Sequence, residues 1–304
     1  MNALALSRRI PCRHFAAAAF ILAGSCWHAI AQAEICVGTS AELEAALAGY
    51  AQPDLGNTYT IRLQTGTYTL SHQFNQYAEP QDGGRRLELI GGHNADCSAR
   101  TFDPFYTVIH GATNPAFLFL YPRSGALLQS IRFTGGFALE FDHAQDCVHT
   151  GADVIIQNTV IEGGNNDVLR LYPACFDVRM ENSLIVGGIS GNDISLVNDG
   201  DGDRASIIDL VNNTIVNADQ HGLDIFNAAG DGNLSLHLYN NVFWNNGADG
   251  VHVGADSDAL AIRAYNNQWD SFSGALTAGS ANSTANPQLT GAFRPSEPGS
   301  PLIN

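Results

Sequence analysis

Five polar residues each stand at the centre of an apolar triplet: Leu139-Glu140-Phe141, Leu169-Arg170-Leu171, Ile194-Ser195-Leu196, Leu223-Asp224-Ile225 and Val251-His252-Val253. In a strand whose apolar residues are buried, the middle side chain points to the opposite face. Parallel stacking of such strands lines the outward residues up at ~4.8 Å per step. A carboxylate, a guanidinium, a hydroxyl and an imidazole in one column can position a chain-like ligand and move protons on it. Asp224 and His252 fall one step apart, at ~5 Å, within reach of a shared proton. Glu140 and Asp224 fall three steps apart, at ~14 Å. That exceeds the roughly 6.5–9.5 Å between the carboxyls that hydrolyse a glycosidic bond by inversion. Asp249 or Asp219, on adjoining turns, is a closer acid partner. The run Val168-Leu169-Arg170-Leu171 permits either register, so Arg170 faces outward in one of two settings. The candidate catalytic set is therefore Asp224, His252, Asp249 and Arg170. The plainer reading is a solvated sheet face, which is polar for that reason alone.

A second pattern suits a metal. Asp199-Gly200-Asp201-Gly202-Asp203 alternates carboxylates with glycine, and such a loop can converge oxygens on Ca²⁺. The Glu that an EF-hand requires is absent, and Asp231, Asp256 and Asp258 occupy the same loop position of later repeats. The alternative is an acidic surface loop. Trp244 and Tyr172 are candidates to stack on sugars, whereas Phe243 and Trp269 are expected in the core. No P-loop, dinucleotide fingerprint, nucleophile elbow or His/Cys zinc spacing occurs.

The elements that carry these residues repeat. The pattern apolar-x-apolar-x-Asn-x-x-apolar occurs at Val154-Ile156-Asn158-Ile161, Val178-Met180-Asn182-Ile185, Ile208-Leu210-Asn212-Ile215, Leu236-Leu238-Asn240-Phe243 and Ile262-Ala264-Asn266-Trp269. A degenerate copy reads Ala126-Leu128-Ser130-Phe133. The anchors at 130, 158, 182, 212, 240 and 266 are separated by 28, 24, 30, 28 and 26 residues. Period-two apolar positions mean strands with one buried face. Asn tolerates the left-handed backbone of a tight bend, so the chain turns there. A sandwich has no reason to place one bend residue at so regular an interval; a coil of three short strands per turn has. Each rung is predicted to run strand, variable loop, strand, Asn bend, strand, Gly/Asn-rich turn. The predicted fold is all-β: a right-handed parallel β-helix. Thr39-Ser40-Ala41-Glu42 is a capping box that opens a short helix, a cover for the open end of the solenoid. Strands are expected at 59–63, 67–70, 87–90, 107–109 and 116–120. The resulting division is 1–33 signal peptide, 34–125 cap and first rungs, 126–279 regular rungs, and 280–304 tail.

Arg8, Arg9 and Arg13 precede an apolar run from Phe15 to Gly24, and Ala31-Gln32-Ala33 is a small-x-small cleavage site. The run is too short to span a bilayer, which needs ~20 apolar residues. Pro11 fits poorly with twin-arginine export, and Ala23-Gly24-Ser25-Cys26 leaves lipid anchoring as an alternative. Cleavage at Ala33 leaves 11 arginines, no lysine and 30 acids, a net charge of −19. Such a surface repels nucleic acid and anionic membranes, and no transmembrane segment is expected in the mature chain. Four cysteines remain, Cys36, Cys97, Cys147 and Cys175. In an oxidising compartment they imply two disulfides, with connectivity open and reactive or metal-binding thiols as the alternative.

Several segments resemble the secreted right-handed β-helix proteins called choice-of-anchor Q, within the pectate-lyase-like superfamily. They are Cys36-Val37-Gly38-Thr39, Gly66-Thr67-Tyr68, Gly91-Gly92, Asp96-Cys97, Arg100, Thr107-Val108-Ile109-His110-Gly111, Asn286-Pro287, Phe293-Arg294 and Pro298-Gly299-Ser300-Pro301. The resemblance implies export and a β-helix but no single reaction. It also implies that Cys36 pairs with Cys97. Cys147 and Cys175 fall in the same variable loop of consecutive rungs, which makes them the second pair. One departure is that no sorting signal follows Pro301, which argues against covalent surface attachment. His221-Gly222 and Asp249-Gly250-Val251-His252 resemble fragments of polygalacturonase sites, without that family's paired aspartates or Arg-x-Lys segment. The expected partner is an extracellular polysaccharide, bound or processed by a lyase or glycosidase activity. The rival is a non-enzymatic surface or matrix rod.

Overall fold

The computed structural model of the chain describes residues 33–50, 58–72, 74–77, 86–111, 117–120, 125–135, 139–142, 152–163, 166–173, 176–187, 189–198, 205–227, 233–254, 260–290 and 293. Among these residues the strands form three parallel sheets, one of ten strands and two of eight. Each rung adds one strand to each sheet, in the order predicted: the first eight-stranded sheet, then the ten-stranded sheet, then the Asn bend, then the second eight-stranded sheet. We call them the site sheet, the long sheet and the third sheet. The protein is a three-sheet parallel β-helix.

The rungs stack like on like. In the long sheet Val154, Val178, Ile208, Leu236 and Ile262 are register partners, as are Ile156, Met180, Leu210, Leu238 and Ala264. In the third sheet the column runs Phe133, Ile161, Ile185, Ile215, Phe243 and Trp269. All of these side chains are buried, so one continuous core fills the coil. Full burial of each Val, Leu, Ile, Met or Phe among them stabilises the fold by about 1.5–3 kcal/mol. The early strands Thr58–Gln64, Gly66–Leu70, Arg86–His93, Thr107–Gly111 and Phe117–Leu120 continue the same three sheets. The predicted helix is α1, Ser40–Tyr50. Its capping box forms: Glu42 N donates to Thr39 Oγ1 at 3.3 Å, and Gly38 N and Thr39 N donate to Glu42 Oε2 at 2.9 and 3.1 Å. Leu43, Ala46, Leu47 and Tyr50 are buried against the first rung, where Tyr59 Oη donates to Ala46 O at 3.0 Å. The Cys36–Cys97 disulfide, with 6.0 Å between its Cα atoms, ties the first strand to the 94–99 loop. Cys147 and Cys175 lie outside the described residues, as do residues 1–32.

The bends hold two ladders. Ser130, Asn158, Asn182, Asn212, Asn240 and Asn266 all have φ between 49° and 57°. The exposed amides hydrogen-bond in series: Asn212 Nδ2 to Asn182 Oδ1 at 3.4 Å, Asn240 Nδ2 to Asn212 Oδ1 at 3.0 Å, and Asn266 Nδ2 to Asn240 Oδ1 at 2.8 Å. The following residue builds a second, buried ladder. Asn213 N donates to Asn241 Oδ1, Asn241 N to Asn267 Oδ1 and Ser183 N to Asn213 Oδ1, each at 2.9 Å. The amide nitrogens turn back to strand carbonyls, Asn213 to Met180 O at 2.9 Å and Asn241 to Leu210 O at 2.7 Å. These bonds satisfy backbone groups that the bend removes from the sheets, and a buried orphan costs ~1–3 kcal/mol.

Asn241→Ala is therefore expected to destabilise the protein by ~2–5 kcal/mol, since it orphans Asn213 N and Leu210 O. Asn240→Gly, which keeps the left-handed backbone at an exposed bend, is expected to cost under ~1 kcal/mol. Urea-unfolding midpoints of the two variants check this; equal shifts contradict the buried ladder.

Candidate functional site

The outward column of the site sheet is as the sequence predicts. Glu140, Arg170, Ser195, Asp224, His252 and Ser273 are successive register partners. The register of Arg170 is thereby settled as outward. A second polar column stands two residues before each strand, in the turn that delivers it. Extending the same register, Asp167, Asn192, His221, Asp249 and Asp270 align there. They are tied side chain to backbone: Asn192 N donates to Asp167 Oδ1 at 2.9 Å, His221 N to Asn192 Oδ1 at 3.1 Å, and Asp249 N to His221 Nδ1 at 3.2 Å. Gly222 and Gly250 separate the two columns because the rungs close on them. A Cβ on Gly222 would meet Gly250 O at 2.7 Å, and one on Gly250 would meet Asp270 Oδ1 at 2.4 Å.

The columns meet at His221, Asp224, Asp249 and His252. The two imidazoles stack, with centroids 4.4 Å apart and planes at 18°. Asp249 Oδ2 lies 3.5 Å from His252 Nδ1 and 3.7 Å from His221 Nδ1. Its other oxygen accepts from Ser271 Oγ at 2.7 Å. Asp224 Oδ2 accepts from Asn192 Nδ2 at 3.3 Å. His221 Nδ1 accepts a backbone N–H, so the neutral ring carries its proton on Nε2. His252 Nδ1 is buried with no hydrogen-bond partner, and the Asp249 carboxylate stands beside it without bonding. Burial first, and then neighbouring His252, hold His221 below the ordinary imidazole value, against the opposite pull of Asp224 and Asp249.

Asp224, His252 and Asp249 therefore converge. Arg170 does not join them. It stands two rungs back, with Nε donating to Asp167 Oδ2 at 3.1 Å and Nη1 3.7 Å from Glu140 Oε2. Burial, opposed by Arg170, raises the pKa of Glu140. Asp219 is exposed on its turn. The acidic loop residues Asp199, Asp201 and Asp203, with Asp231, Asp256 and Asp258, lie outside the described residues. Trp244 and Tyr172 are half-buried, while Phe243 and Trp269 are core. The residues that sequence reasoning undervalued are His221, Asn192 and Asp167. Their signal was a shared offset of two residues before each triplet.

His221, Asp224 and His252 offer ligand atoms within 4.8 Å of one another. Two imidazoles and a carboxylate are a donor set of the kind Zn²⁺ takes, whereas Ca²⁺ prefers oxygen donors. The same three groups can serve acid–base chemistry.

No family model and no curated protein matches the chain. Among solved structures it is similar to the ORF18 protein of Geobacillus virus E2, at 12% identity and TM-score 0.37, over 76% of this chain and 53% of that one. The chain thus spans about half the length of the viral protein. It is also similar to the A-module of the Azotobacter vinelandii mannuronan C-5 epimerase AlgE6, at 12% identity and TM-score 0.27, over 80% and 84% of the two chains. At these scores neither likeness bears on activity or substrate.

The folded chain takes up the His221 proton at lower pH than the unfolded chain does. Stability present above pH ~6.5 is therefore expected to fall as pH drops towards the folded value. In an NMR titration, His252→Ala is expected to raise the His221 pKa and Asp224→Asn to lower it further. Shifts of opposite sign would contradict the arrangement.

Proposed function

We propose that this is an exported protein that binds extracellular polysaccharide along the site sheet and cleaves an acidic one by elimination. The observation that carries this is the convergence of His252, Asp249, Asp224 and His221 on one outward patch of a face long enough for a chain. Asp249 Oδ2, 3.5 Å from His252 Nδ1, would accept its proton on a small closure of that gap, which leaves Nε2 as a general base. Nε2 takes the proton next to the sugar carboxylate. The carbon–oxygen bond to the neighbouring sugar breaks as the ring double bond forms, and the imidazolium returns the proton to the leaving oxygen. Nε2–H of His221 donates to the charge that develops on the carboxylate, and Asp224 holds a sugar hydroxyl. Hydrolysis fits less well: of the two carboxyls on this face that burial biases towards the protonated form, Glu140 stands three rungs from Asp224, and Asp270 is engaged by the backbone N–H groups of Asn246 and Ser271.

Export is supported by the signal-like residues 1–33 and by the Cys36–Cys97 disulfide. Among the described residues no helix is long and apolar enough to cross a membrane. We further propose Ca²⁺ at Asp199, Asp201 and Asp203, where it would bridge the acidic sugar to an acidic protein. The choice-of-anchor Q resemblance rests on its motifs. One observation favours a binding or structural role without turnover: Arg170, the guanidinium in the same outward column, is already engaged by Asp167 and Glu140.

A panel of acidic and neutral polysaccharides, with and without Ca²⁺, tests the reading through new reducing ends and the ultraviolet absorbance of unsaturated products. His252→Ala and Asp224→Asn are each expected to lower turnover at least ~100-fold with little change in melting. Turnover that survives both changes removes these residues from the site. Gel retardation without cleavage leaves a binding module.

A further inference from the structure

The outer face of the long sheet carries a second group of residues that the proposed chemistry does not use. Asp209, His237 and Arg263 are successive register partners, and Tyr239 and Tyr265 form the next outward column. His237 Nδ1 lies 2.8 Å from Asp209 Oδ1. The two tyrosine rings stack with centroids 5.6 Å apart and planes at 8°. His237 sits beside Tyr239, at 6.1 Å between centroids.

Arg263 is the informative member. Arg62, Arg86, Arg132, Arg170 and Arg179 each pair with a carboxylate, and Arg100 bonds to Gln129 and Ser130. Among the described residues Arg263 is exposed and has no ion-pair or hydrogen-bond partner. An unpaired guanidinium stands out in a chain with 30 acids against 14 basic residues. The next rung also leaves it open. Arg263 is followed in its column by Ala278, and Tyr265 by Ser280. These small residues form a step beside the exposed Arg263 and the half-buried Tyr265, whose ring is stacked on Tyr239 of the earlier rung and has no aromatic side chain after it in the column.

We propose that this step is a second saccharide-binding site, which takes one carboxylated sugar unit of a chain. Arg263 pairs with the carboxylate, in the planar two-pronged geometry a guanidinium favours. The face of Tyr265 turned away from Tyr239 packs against the sugar ring. The tyrosine hydroxyls donate, and with His237 Nδ1–H directed at Asp209, His237 Nε2 accepts from a sugar hydroxyl. The site lies on a different sheet from Asp224 and His252, and its occupation does not require turnover there.

The probe is oligogalacturonate, with its methyl ester and dextran sulfate as comparisons, titrated calorimetrically into the intact protein. Arg263→Gln and Tyr265→Ala are each expected to weaken oligogalacturonate binding about tenfold with an unchanged melting midpoint. The methyl ester should bind weakly and without dependence on Arg263. The Arg263 effect should persist in an Asp224→Asn background, which separates this site from the proposed active face. Wild-type affinity in Arg263→Gln or in Tyr265→Ala overturns the proposal. So does an equal Arg263 dependence for dextran sulfate, which would mark a general anion contact. Loss of the Arg263 effect in the Asp224→Asn background would mean one site rather than two.

Discussion

At each bend between the long and third sheets, a buried side-chain oxygen accepts the backbone N–H of its counterpart one rung away. Asn213, Asn241 and Asn267 do this in succession, and Ser183 extends the ladder towards the N-terminus. A solenoid turns three times per rung, and every turn takes backbone donors and acceptors out of the sheets. Apolar stacking cannot compensate for that, because an unpaired buried amide costs as much as a good hydrophobic contact contributes. The ladder solves the problem with one residue per rung. It also sets the register, since sliding one rung past the next breaks every bond in it.

The turn ahead of the site sheet solves the same problem with residues that can do chemistry. There the acceptors are Asp167, Asn192 and His221, in place of a run of asparagines. The direction is reversed, with the earlier rung accepting from the later. Placing His221 in that role fixes its tautomer and its ring plane. Asp249, whose N–H is the donor, is thereby held at the edge of the two stacked imidazoles, with Oδ2 near the Nδ1 of each. The geometry of the candidate site is thus a consequence of turn closure.

Much of this was legible in the sequence. The Asn anchors revealed the rungs, because only a bend requires a residue tolerant of positive φ at so regular an interval. The apolar triplets revealed the outward column, because alternation alone decides which side chain faces out. The buried ladder was missed. Asn213, Asn241 and Asn267 follow the anchors directly and read as ordinary polar turn residues, although burial is what gives them their role. His221 was undervalued for a related reason. Its partners Asn192 and Asp249 are 29 and 28 residues away, and only the observed register shows that all three share a column. Arg170 was open between two registers until the strand pairing put it on the outer face, and its engagement by Asp167 and Glu140 depends on side-chain reach that spacing does not convey.

The most direct measurement is hydrogen exchange at the Asp249 amide, followed across pH. If His221 Nδ1 is the acceptor that closes this turn, the amide is protected like those of the neighbouring strands at neutral pH. Protection is then lost as acid protonates His221, because the acceptor becomes a donor. An Asp249 amide that exchanges as freely as an exposed turn at every pH would contradict the link between turn closure and site geometry.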